Sequence, residues 1–282
     1  MVDSSNGGEG GRTPRANRGD RSRGRGDGPR DSRRGGPPVR SGPDRARRSQ
    51  PDSSGTDDAR ADRQGPRIPA TVEARQLAPE IRRELSTLDR TTADTIARHL
   101  VAAGELLDED PEAALAHARA ARQRSGRIAA IREAVGIAAY HCGDWAQALA
   151  ELRAARRMGS KSPLLPLIAD CERGVGRPER AVELGNSAEA AELSGDDADE
   201  LRIVMAGARA DMGQLEQALA VLSSPPLDPA RTGQTAARLF YAYAEALLAA
   251  GREEEALRWF LNAASADIDG VTDAEDRVGE LT

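Results

Sequence analysis

Aromatic residues make up 2% of this 282-residue chain, cysteine occurs twice, and Lys161 is the one lysine among 40 basic residues. Cys142 and Cys171 stand far apart with no CxxC spacing. A disulfide-stapled fold is therefore excluded, and both read as free packing thiols of a reducing compartment. No run of about 18 apolar residues occurs, so no transmembrane helix is expected. The first residues lack the apolar core of a signal peptide. The expectation is a cytoplasmic protein that does not engage a membrane.

Catalytic signatures are also missing. The three histidines, His99, His117 and His141, form no i, i+4 pair and no HExxH. They read as solvated or groove-facing, with no metal site and no cofactor expected. There is no GxSxG. Lys161 lies in GSKS, which lacks the spacing of a phosphate loop. Asp267, Asp269, Asp273 and Glu275 fail the calcium-loop pattern because Gly270 follows Asp269 directly. A helix N-cap and a solvated acidic end fit them better. Trp145, Trp259 and Phe260 fall at helical core spacing and read as packing. Nothing supports an enzyme.

What is present divides in two. Residues 1–70 hold 16 Arg against 10 acidic residues, a net of +6, while the remainder carries −12. The first part has no Phe, Trp or Tyr and holds 13 of the 28 Gly and 8 of the 16 Pro. Such a segment buries too little apolar surface to offset chain ordering, so a disordered tail is expected over 1–70. The stretch RSRGRGDGPRDSRRGG resembles Arg/Gly-rich nucleic-acid-binding segments, but it lacks aromatics and is diluted by Asp20, Asp27 and Asp31. Weak, salt-sensitive RNA association through residues 21–48 is the alternative functional reading.

From TVEARQLAPEIRRELSTL onward the pattern is helical. A capping helix is expected over 71–90, a repeat domain over 91–267, and an acidic end over 268–282. Breaks fall at Gly and Pro clusters, and each intervening segment has the length of an ordinary helix. The same grammar returns along the chain: GDWAQALAEL, GRPERAVEL, GQLEQALAVL and GREEEALRWF. Gly143, Gly176, Gly213 and Gly251 begin these copies, and Ala148, Ala181, Ala218 and Ala256 begin their apolar stripes. A fifth copy, DPEAALAHARAA, places Ala114 likewise but lacks the turn glycine. The alanines are separated by 34, 33, 37 and 38 residues. Glycine permits the tight turn, and the alanine lets two helix backbones approach.

This register of Gly and Ala, over residues 91–267, resembles the tetratricopeptide repeat. The Arg/Gly-rich front followed by such repeats is similar to a group of high-GC bacterial repeat proteins. The resemblance implies an all-α, right-handed α-solenoid of about five helix pairs. It also implies a non-catalytic scaffold that takes a partner peptide or helix on the concave face lined by the first helix of each pair. By helical position, the candidate lining residues are Glu133, Ile137, His141, Asp170, Arg173, Asp211, Tyr241 and Glu245. The lining lacks the cation clamp that chaperone-binding relatives use for a terminal carboxylate, and a basic or mixed partner segment fits better.

Overall fold

The computed structural model describes residues 65–282, and these contain twelve α-helices. The expected tail falls almost wholly outside them. After a 3₁₀ turn at Ala74–Gln76, the short α1 (Pro79–Leu85) precedes five antiparallel pairs. These are α2 (Arg90–Glu105) with α3 (Pro111–Arg124), α4 (Ala129–His141) with α5 (Trp145–Arg157), and α6 (Leu165–Gly174) with α7 (Pro178–Gly185). Then come α8 (Gly195–Asp211) with α9 (Leu215–Leu222), and α10 (Gln234–Ala249) with α11 (Glu253–Ala266). The chain closes with α12 (Ala274–Glu280). No strand occurs among the described residues.

Four of the five pairs turn by one device. Gly143, Gly176, Gly213 and Gly251 have φ of 71°, 76°, 72° and 74°. Each glycine N–H bonds the carbonyl three residues back, and the next N–H bonds the carbonyl five residues back. Gly143 N reaches Tyr140 O at 2.9 Å and Asp144 N reaches Ala139 O at 2.9 Å; Gly176 and Arg177 repeat this on Arg173 and Glu172. This is the glycine-terminated helix closure, which needs the left-handed backbone that only glycine adopts freely. The first pair, without a glycine, uses a longer turn. There Asp110 caps α3 by accepting from Ala113 N at 3.0 Å, and Pro111 occupies the first helical position.

The repeat alanines mark the contacts inside the pairs. Ala114, Ala148, Ala181, Ala218 and Ala256 are 0–1% exposed. Gly136 makes a close approach within the second pair. A Cβ there would lie 2.7 Å from both Cγ and Cδ2 of Leu152 and 3.2 Å from its backbone nitrogen. The first helices also touch one another, α2 against α4, α6 against α8 and α8 against α10. They form an inner layer, joined between α4 and α6 by the bond from Tyr140 to Asp170.

Charges are buried at regular places. Glu151 on α5 is 4% exposed and takes Arg122 at 3.1 Å and Arg132 at 2.8 Å. Glu172 on α6 is 1% exposed and takes Arg153 and Arg177. Asp199 on α8, 6% exposed, takes Arg202 and Arg231, each at 2.7 Å. Burying a carboxylate is costly unless cations replace the lost water, and each of these three has two guanidinium partners. Arg202 also donates to Val221 O, Leu222 O and Pro225 O, satisfying carbonyls at the end of α9, which Pro225 and Pro226 cut short.

Three expectations need correcting. His99 and His117 do not face solvent or a groove. They are buried between α2 and α3 with Nδ1 atoms 3.0 Å apart, so one ring donates and the other accepts. Their helices present them on the packed face of the first pair, where the mate supplies the polar partner. Cys142 is only half-buried, its Sγ 3.1 Å from Pro111 O, whereas Cys171 is fully buried. Residues 268–282 are more than a solvated acidic end. In α12, Ala274 is buried, and Val278 and Leu281 pack on the core of the last two pairs. Arg277 bonds Glu245 at 3.0 Å and lies over the Phe260 ring. At the other end of the domain, Ile68, just before the expected boundary, packs on the first core cluster.

Candidate partner-binding groove

The inner layer carries an alternating chain of charges that crosses from pair to pair. Tyr140 on α4 donates its hydroxyl to Asp170 on α6. Arg173, one turn after Asp170, bonds it at 2.7 Å and reaches across to Asp211 on α8 at 2.9 Å. Arg238 on α10 bonds Glu200 on α8 at 2.9 Å, and Arg277 on α12 holds Glu245. Asp170 and Arg173 share one face because they are three apart on a helix. Arg173 reaches Asp211 because Gly207 on α8 has no side chain. A Cβ there would lie 2.6 Å from the guanidinium carbon.

Ionisation follows these contacts. Burial, together with the bond to Asp170, pushes the Tyr140 phenol up, so it stays a neutral donor. Burial would lower Arg173, but its bonds to Asp211 and the charge of Asp170 outweigh this and raise it. Burial raises the Glu200 carboxyl, and Arg238 opposes the rise.

The candidate residues do not all come together. Asp170, Arg173 and Asp211 form one connected group, and Tyr241 and Glu245 continue along α10. Glu133 lies at the start of α4 and accepts from Ser160 and Ser162 hydroxyls at 2.7 and 2.6 Å. Ile137 is half-buried against the second-pair core. His141 stands apart, exposed and 4.0 Å from Asp108 of the α2–α3 turn. Tyr140, seven after Glu133, continues the stripe instead. Tyr140, Glu200 and Arg238 were missed by the sequence reading. Arg238 is three residues before Tyr241 and so shares its face of α10. The lining is also less acidic than expected, because Arg173, Arg238 and Arg277 neutralise Asp170, Asp211, Glu200 and Glu245.

At one end the groove deepens into a cleft of about 620 Å³ between α8, α10 and the 270–276 segment. Ile203, Tyr241, Ala242 and Val271 supply apolar walls, and Arg238, Asp273 and Asp276 the charges. Among the described residues, no group of three or more His, Cys, Asp or Glu converges as a metal site. No described helix is long and apolar enough to cross a membrane. Residues 21–48 lie outside the described part of the chain.

Residues 168–270 match the family model of the tetratrico peptide repeat. The matched residues, 168–270, carry tetratricopeptide repeats. The repeat pairs and their glycine-closed turns are the structural counterpart of that match. Among solved structures, the chain is similar to YrrB, described as a TPR protein with an unusual peptide-binding site. The similarity has 19% identity and a TM-score of 0.43, over 70% of this chain and 97% of that one. No curated protein matches the sequence. Tetratricopeptide repeats are scaffold elements, and this places the chain among protein-interaction scaffolds.

Proposed function

We propose that this protein is a non-catalytic scaffold that holds a peptide or helix of a partner protein along the inner face of its repeats. The observation that carries the reading is the cross-pair chain Tyr140–Asp170–Arg173–Asp211. Its polar groups are pre-positioned on three inner helices and remain partly open to solvent. Such groups cost little to organise on binding, and alternate signs favour a partner segment of mixed charge over a purely basic one. The site residues proposed to meet the partner are Tyr140, Asp170, Arg173, Asp211 and Tyr241, with Glu133, Ile137, His141 and Glu245 at the margins.

A photo-crosslinking residue placed in the full chain tests this. Positions Tyr140 and Ile203 on the inner helices should capture a partner protein, and Ala150 on the outer α5 should not. Crosslinks that form equally well at Ala150 overturn the proposal. The Arg/Gly-rich tail favours a second reading, weak RNA association through residues 21–48. That reading requires RNA binding by the full chain to vanish when the arginines of 21–48 become serine.

A further inference from the structure

The cleft beside α12 differs chemically from the rest of the groove. Asp170, Asp211, Glu200 and Glu245 are each paired with an arginine. Asp273 and Asp276 are acidic lining residues of the cleft. Asp273 takes the Tyr241 hydroxyl, but neither carboxylate joins an arginine ion pair of the kind that holds the other four. Beside them lie the faces of Ile203, Ala242 and Tyr241, with Val271 41% exposed. An open apolar wall next to carboxylates that lack an arginine ion pair is complementary to an apolar side chain adjacent to a cation.

The wall is built before any partner arrives. Asp267 accepts from Val271 N at 2.8 Å, from Thr272 N at 2.7 Å and from the Thr272 hydroxyl at 2.7 Å. Gln234 on α10 bonds Asp269 at 3.1 Å. Gly270, which lines the cleft, has φ of 67°, a backbone conformation that favours glycine. Arg277 then fixes α12 through Glu245 and Phe260. A pocket held this way loses little freedom on binding, which is what an anchoring pocket requires.

We propose that this cleft anchors the partner by taking one apolar side chain, with an adjacent Lys or Arg meeting Asp273 and Asp276. This rests on the groove reading above and names the chemistry of the segment at its end. The probe is an array of short synthetic peptides whose central residue pair is varied over all combinations, read with the labelled full-length protein. Aliphatic or aromatic residues followed or preceded by Lys or Arg should be selected. For a selected peptide in solution, Asp273→Asn with Asp276→Asn should weaken binding about five- to ten-fold and abolish the preference for Arg over Gln. Asparagine at 273 also suits a helix N-cap, so α12 should be retained, and an unchanged melting temperature checks this. Val271→Ser should weaken binding to apolar pairs while leaving the cation preference in place.

If peptides bind and respond to Arg173→Ala but ignore the Asp273 and Asp276 changes, the anchoring proposal fails and the groove reading stands. If no peptide binds above background, the anchoring proposal is also overturned. The groove reading is then decided by the crosslinking experiment alone.

Discussion

Gly136→Ala separates packing from helix propensity in this protein. In an exposed helix interior, replacing Gly by Ala stabilises by about 1 kcal/mol, because glycine costs more backbone entropy. Gly104, exposed in the last turn of α2, has nothing within 4 Å of the point where a Cβ would stand, so part of that gain is expected there. At Gly136 the same methyl meets Leu152 at 2.7 Å and the α5 backbone at 3.2 Å. Leu152 is fully buried and cannot swing into solvent. Forcing a methyl into so close a contact costs about 1–3 kcal/mol by overpacking. Because the α5 backbone itself is in the way, the upper half of that range applies. The net expectation is a loss of about 1–2 kcal/mol for Gly136→Ala and a gain of up to about 1 kcal/mol for Gly104→Ala. Urea unfolding followed by circular dichroism measures both. Transitions in repeat arrays can split, so the unit containing α4 and α5 should be followed by the fluorescence of Trp145. A Gly136→Ala protein as stable as the parent would refute the assigned contact between α4 and α5.

Other expectations follow from single contacts. Ala148→Leu, at a fully buried position between paired helices, should cost on the order of 1–3 kcal/mol in the same assay. Glu172→Ala removes the buried carboxylate shared by Arg153 and Arg177, both partly exposed, and should cost about 1–3 kcal/mol, read as a lowered urea midpoint. The buried His99–His117 pair predicts acid sensitivity. Burial lowers His99 to about 4, with Arg124, His117 and Arg98 adding to the fall, and burial lowers His117 as well. The unfolded chain therefore binds more protons below the ordinary histidine value near 6.5, and stability present at pH 7 is lost as pH falls from about 6.5 toward 4. Urea midpoints should drop between pH 7 and 5, and His99→Gln should flatten that slope; a flat parent profile contradicts the prediction.

The repeat was legible because its signals are local. Each turn glycine answers a positive φ, and each alanine answers a close approach within one pair, so both recur at fixed spacing. The groove was half legible. Helical spacing put Asp170, Arg173 and Asp211 on inner faces, but it could not tell that Arg173 spans from one carboxylate to the other over Gly207. That bridge joins residues 38 apart, a separation with no local pattern. The same limit hid the His99–His117 pair, whose members are 18 apart on two helices. On α4 the three- and four-residue steps of a helix offered Tyr140 and His141 equally, and only the neighbouring helix selects Tyr140. For residues 268–282 the acidic composition masked Ala274, Val278 and Leu281, whose spacing is that of a short packed helix.

The near-absence of lysine has a structural side as well as a compositional one. A compositional bias toward arginine would explain its number. It does not account for where Arg122, Arg132, Arg153, Arg177, Arg202 and Arg231 stand. Each is one of two cations on a buried carboxylate. The planar guanidinium is weakly hydrated and offers several donors in a fixed fork. It can therefore bond a carboxylate and a backbone carbonyl together, as Arg132 does with Glu151 and Gly126 O, whereas an ammonium loses more hydration for fewer directed bonds. The apolar faces of successive pairs are built from the same few residues, Ala and Leu above all. One alanine-lined face would accept another in a neighbouring register at little cost. A buried carboxylate does not allow that, because a one-turn slip would strand it away from both arginines at a cost of several kcal/mol. The apolar stripe therefore drives the helices together, and the Glu151, Glu172 and Asp199 clamps decide how they align. That alignment in turn sets Tyr140, Asp170, Arg173 and Asp211 in line along the groove.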